Sequence, residues 1–106
     1  MWNVDDIKSK VEQNKILIFA KGTKDQPMCG FSHRAIAVMS QLGRPFEVVD
    51  IFSDDSIRPA LIEAYGWPTT PQVFVGGELL GGSDIVLEMY ESGDLQKKVD
   101  EIFAGA

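Results

Sequence analysis

The chain holds one cysteine, Cys29, among its 106 residues. It therefore cannot close an internal disulfide, which excludes the stapled class of small secreted proteins. Long apolar runs are also missing: the longest, Ile16-Leu17-Ile18-Phe19-Ala20, falls far short of the roughly 18 residues a membrane helix requires. Cations are in the minority, with Lys+Arg 10 against Asp+Glu 16 and a net charge of -6. They are scattered along the chain, so it repels phosphate backbones and neither nucleic acid nor a membrane is expected as a partner. There is no HExxH, no Walker-type phosphate loop, no CxxC and no second cysteine for a metal site built from protein alone. The single histidine, His33, reads as a surface residue rather than a base or ligand.

The N-terminal run Met1-Trp2-Asn3-Val4-Asp5-Asp6 is acidic where transit peptides are Arg-rich and acid-poor. The expectation is a protein of a reducing compartment, cytoplasmic, or of an organelle stroma or matrix if a transit peptide has been removed. At 44% hydrophobic the chain can bury one modest core, which predicts a single domain over 1–106. No repeat, low-complexity tract or dividing linker interrupts it.

Asn3 is placed to cap a helix over about 3–14, with Val4, Ile7 and Val11 on one face. The continuous run 16–20 suits a strand buried on both faces. A loop over 21–27 leads to Cys29, and Ala35, Ile36, Val38, Met39 and Leu42 then follow helical spacing over about 32–42, with Gly43 as the stop. A strand over 46–50 follows. Asp54 or Asp55 can cap a helix over about 56–65 that tolerates Pro59 in its first turn and ends at Gly66. Trp67-Pro68-Thr69-Thr70-Pro71 cannot be helical. Two strands, 72–75 and 78–80, flank the Gly76-Gly77 turn, and helices over about 84–92 and 94–103 complete the chain. This order implies a parallel pair built by right-handed crossovers, then an antiparallel hairpin: a mixed four-stranded sheet covered by helices.

Cys29 lies between that first strand and its helix, in Pro27-Met28-Cys29-Gly30-Phe31-Ser32. Its neighbours are loop and cap residues rather than core, which argues against a buried structural cysteine. A helix N-terminus favours thiolate over thiol through its dipole and free N–H groups, and Lys21 offers a second positive charge. Bringing a thiol from a pKa near 8.5 to about 7 takes roughly 2 kcal/mol, within reach of such a site.

Lys21-Gly22-Thr23, Pro27-Met28-Cys29-Gly30-Phe31-Ser32, Trp67-Pro68-Thr69-Thr70-Pro71-Gln72 and Gly81-Gly82-Ser83-Asp84, in this order across nearly the whole chain, resemble the monothiol glutaredoxins of the CGFS type. The resemblance implies an α/β, thioredoxin-like (glutaredoxin) fold and a cis peptide between Thr70 and Pro71. It also implies a glutathione site. Lys21 and Arg58 resemble the contacts to the glycine carboxylate, and Thr70, beside Pro71, the backbone partner of the cysteinyl part. Gly82, Ser83 and Asp84 resemble the grip on the γ-glutamyl end, and Phe31 and Cys29 complete the set. Read without the family, Arg58 is a solvated surface residue, Ser83 and Asp84 are helix caps, and Trp67 is a core residue.

Ser32 stands where dithiol relatives carry a second cysteine, and Ser83 where many members of the family carry one, so Cys29 has no internal partner. A [2Fe–2S] cluster takes four terminal ligands, normally thiolates. The resemblance implies that two protomers supply two through Cys29 and two glutathiones supply the rest, in a homodimer bridged by the cluster. It implies partnership with BolA-like proteins and with apo iron–sulfur proteins that receive the cluster. The alternative is a glutathione-dependent thiol–disulfide oxidoreductase with Cys29 as its catalytic nucleophile. The inserted residues Lys24-Asp25-Gln26 and the Gly30-Phe31-Ser32 tail favour the carrier.

Overall fold

The structure, a computed structural model, describes residues 1–105. Four strands, β1 (Ile16–Ala20), β2 (Glu47–Asp50), β3 (Gln72–Val75) and β4 (Glu78–Gly81), form one sheet in the order β2-β1-β3-β4. β1 pairs in parallel with β2 and antiparallel with β3, which pairs antiparallel with β4. The helices are α1 (Val4–Gln13), α2 (Gly30–Ser40), α3 (Ile57–Tyr65), α4 (Ser83–Ser92) and α5 (Asp94–Ala104).

Alternation along β1 divides the core. Ile16, Ile18 and Ala20 join Val73 and Val75 against α2, α4 and α5, whereas Leu17 and Phe19 join Phe74 against α1 and α3. Because successive strand side chains point to opposite faces, a strand covered on both sides must be apolar throughout, as β1 is. Phe19 is fully buried, and its ring meets those of Trp2 and Phe74 edge-on at 6.5 and 5.9 Å; burial of such a side chain contributes roughly 1.5–3 kcal/mol.

Helix α1 begins with a reciprocal capping box between Asn3 and Asp6. Helix α2 departs from the sequence expectation at both ends. It starts at Gly30 rather than near residue 32, because Cys29 is in extended backbone and serves as its N-cap. It stops at Ser40 because Gln41 and Leu42 donate to Val38 and Met39, three residues back, which tightens the chain out of the α-helical ladder. Asp54 does act at the start of α3, where its carboxylate accepts from both the N–H and the hydroxyl of Ser56, but Ser56 is the N-cap. A short 3-10 turn over Ile51–Ser53 was not expected; the Asp50 carboxylate accepting from Phe52 N–H holds it. Among the described residues no helix is long and apolar enough to cross a membrane.

Candidate functional site

The ends of β1, α2, α3 and α4 converge with the loop before β3 around an open cavity of about 560 Å³. Lys21, Phe31, Arg58, Thr70, Pro71, Gly82, Ser83 and Asp84, eight of the nine residues that sequence reasoning assigned to a site, line it. Trp67, Pro68, Thr69 and Ile85 complete the wall. Cys29 is not in the lining itself. It stands two residues before Phe31, half-buried at the N-terminus of α2.

The loop that delivers Lys21 and Cys29 is closely tied. Gly22 and Pro27 form an isolated antiparallel bridge, Met28 N–H donates to Lys21 O at 2.9 Å, and Thr23 N–H donates to Gln26 O at 3.1 Å. Two side chains fix its first residues. The buried Ser32 hydroxyl oxygen accepts from Lys21 N–H at 3.0 Å, and the Asp50 carboxylate accepts from Gly22 N–H at 3.0 Å. Ser32 is thus more than a missing thiol: it anchors the backbone of Lys21, whose charge acts on Cys29.

The Cys29 thiol is held below its ordinary pKa, first by the backbone N–H of Ser32 and further by that of Phe31, the Ser32 hydroxyl and the Lys21 charge. Partial burial opposes them. The thiol makes no capping hydrogen bond of its own, so these N–H groups act as dipoles aimed at a site ready for negative charge. Alkylation by iodoacetamide follows the thiolate. Its rate should reach half-maximum below the pH of about 8.5 typical of free cysteine, and reactivity should vanish as pH falls through the lowered pKa. Lys21→Met should move that midpoint upward only slightly, since the Lys21 charge is the smallest of the favourable influences. A midpoint at or above that of free cysteine contradicts the assignment.

Arg58 is exposed in the first turn of α3, where a cation opposes the helix dipole by about 0.3–1 kcal/mol; an anionic ligand would relieve that conflict. At the other end of the cavity, Gly82 is the N-cap of α4 and Ser83 is buried. The Asp84 carboxylate accepts from Arg34 Nη1 at 3.2 Å in an exposed pair, a contact worth about 0–1 kcal/mol and therefore easily exchanged for another cation. The Thr70–Pro71 peptide is cis. Trp67 is exposed at the cavity wall rather than in the core, and His33 lies exposed outside it.

Sequence reasoning missed Arg34 and Asp50, whose partners lie 50 and 28 residues away. It also missed Gln72, a buried amide at the start of an otherwise apolar strand. Only Gln72 carried a signal, as the one polar residue of its strand.

The glutaredoxin family model matches residues 16–80. The chain is 43% identical over 103 residues to an uncharacterized monothiol glutaredoxin ycf64-like protein of Synechocystis, covering 93% of this chain and 96% of that one. Among solved structures it resembles reduced apo GrxS14 from poplar, with 40% identity, a TM-score of 0.81, and coverage of 94% of this chain and 92% of that one. It also resembles a buckwheat glutaredoxin–glutathione complex, with 29% identity, a TM-score of 0.83, and coverage of 95% and 90%. The thioredoxin-like sheet and its helices match these structures, and with Cys29 as its only cysteine, the chain belongs to the glutaredoxin family as a monothiol member.

Proposed function

We propose that the protein binds glutathione in the cavity beside Cys29 and, as a homodimer, carries a [2Fe–2S] cluster to apo-proteins. The observation that carries this reading is a single thiol, favoured as thiolate, beside a cavity with cations on one wall and a helix N-terminus on another. Glutathione presents two carboxylates, one ammonium and one thiol. Lys21 and Arg58 suit one carboxylate, the free N–H groups of Ser83 and Asp84 suit the other, and the Asp84 carboxylate suits the ammonium in exchange for Arg34. Thr70, next to Pro71, offers its backbone as a strand edge would, and Phe31 supplies an apolar wall. A bound glutathione complex in a relative of the same fold supports the ligand class.

The cluster is cargo, and the donor chemistry decides the assembly. Among the described residues no group of His, Cys, Asp or Glu can hold a metal alone, and one chain offers one thiolate. Two protomers and two glutathiones supply the four thiolates a [2Fe–2S] unit needs. Because half of these ligands are exchangeable small molecules, the arrangement suits transfer better than storage. BolA-like proteins and apo iron–sulfur proteins are the partners this reading entails, in the cytoplasm or an organelle stroma or matrix. Anaerobic incubation with iron, sulfide and glutathione should give a brown dimer with visible charge-transfer bands, and omission of glutathione should leave it colourless. A colourless monomer in the complete mixture overturns the carrier reading.

The lowered Cys29 pKa also favours a second reading, a glutathione-dependent oxidoreductase. The Cys29 thiolate would attack the glutathione sulfur of a mixed disulfide, release the client as a thiolate, and be regenerated when a second glutathione thiolate attacks, leaving oxidised glutathione. Turnover of a glutathionylated substrate with glutathione as sole reductant tests it. Negligible turnover by a protein that takes up the cluster leaves the carrier function alone.

A further inference from the structure

We propose that Gln72 is a positioning residue that holds the 67–70 wall of the cavity in its ligand-binding shape, and so governs glutathione affinity without touching the ligand. The proposal rests on the glutathione reading above. Gln72 is 1% exposed and opens β3, where it pairs with Phe19 of β1 in the middle of the sheet. Its Nε2 donates to two backbone carbonyls, Trp67 O at 2.8 Å and Thr69 O at 3.0 Å. Both belong to residues that line the cavity. One amide group therefore fastens the loop to the rigid sheet at two points.

The other end of the amide shows why a glutamine is needed. Among the described residues, Gln72 Oε1 is buried with no hydrogen-bond partner, an arrangement that native proteins rarely retain without a reason. Turning the amide over would set Oε1 against two carbonyl oxygens, so the donor side fixes its orientation. The residue tolerates an orphaned acceptor in order to supply two donors. Without them, the Trp67 and Thr69 carbonyls turn toward water, and Thr70 and the Trp67 ring move with them. Pro71 cannot compensate, because it has no N–H to give.

Gln72→Met keeps the length and bulk of the side chain, removes both donors and removes the orphaned acceptor. Its glutathione affinity, measured by calorimetry on the full chain, should fall about tenfold. The backbone carbonyl carbon resonances of residues 67 and 69, which accept from Gln72, should move upfield as those hydrogen bonds are lost, while hydrogen-exchange protection of β1 and α2 and the pH profile of Cys29 alkylation stay as in the parent. A role confined to stability would instead raise exchange throughout the chain and leave the affinity of the folded protein intact. Unchanged glutathione affinity in the folded variant, or unchanged carbonyl resonances at residues 67 and 69, overturns the proposal. If the parent protein itself binds no glutathione, the ligand assignment fails, and the carbonyl resonances of residues 67 and 69 still decide whether Gln72 holds the wall. Should Gln72→Met fold poorly, Gln72→His, which keeps one ring N–H, should give intermediate affinity and shift the carbonyl resonance of only one of residues 67 and 69; parent-like affinity contradicts the proposal.

Discussion

Cys29→Ser should yield a folded protein that takes up no iron and reduces no mixed disulfide. Every function proposed here passes through one sulfur: it is the chain's only thiol, and no described group of His, Cys, Asp or Glu can replace it as a ligand. A serine hydroxyl stays protonated at neutral pH and is neither a thiolate ligand nor a nucleophile of comparable strength. The fold, by contrast, should gain. Cys29 is the N-cap of α2 yet makes no side-chain capping bond, whereas serine is among the preferred N-caps and contributes typically about 1 kcal/mol there. Loss of function accompanied by an unchanged or higher melting temperature separates a chemical role from a structural one. Iron and acid-labile sulfide analysis beside a thermal melt checks both, and retention of the cluster would mean that its ligand lies elsewhere.

Gly22→Ala should be the most damaging small substitution near the site, costing about 2–4 kcal/mol. Gly22 has φ +95°, and a Cβ there would lie 2.5 Å from Gln26 O and 2.6 Å from Met28 N. Both are backbone atoms, so no side chain can swing aside. The two arms of the loop must part, and they carry Lys21 on one side and Cys29 on the other. Gly43 provides the control. Its φ is +74°, but nothing lies within 4 Å of the Cβ position, so Gly43→Ala should cost only the left-handed penalty of about 1–2 kcal/mol. Urea unfolding of the two variants checks the contrast, and equal losses would show that crowding at Gly22 is relieved at no cost.

The elements were legible because each carries a local cause. Apolar spacing marks α1 and α2; an acidic cap and the Gly66 stop mark α3; the Gly76-Gly77 turn marks the hairpin; the unbroken run of β1 announces a strand covered on both faces. Boundaries slipped where side chains reach backbone or the backbone itself decides. Gly30 looked like loop, yet the extended conformation of Cys29 makes it the first residue of α2, and the turn over Ile51–Ser53 depends on the Asp50 carboxylate. The cavity was legible only through resemblance. Lys21, Arg58 and Gly82 come from segments far apart in sequence, and neither spacing nor composition says that they meet. The Arg34–Asp84 pair and the grip of Gln72 on Trp67 and Thr69 are likewise products of the folded chain.

The composition of the cluster-loaded assembly tests the central claim most directly. Native mass spectrometry of protein reconstituted anaerobically with iron, sulfide and glutathione should find two chains, two glutathiones and one [2Fe–2S] unit in a single species, which dissociates to monomers when the cluster is removed. A loaded monomer, or a loaded dimer without glutathione, would contradict the account, because Cys29 would then be sharing its metal with ligands the chain does not have.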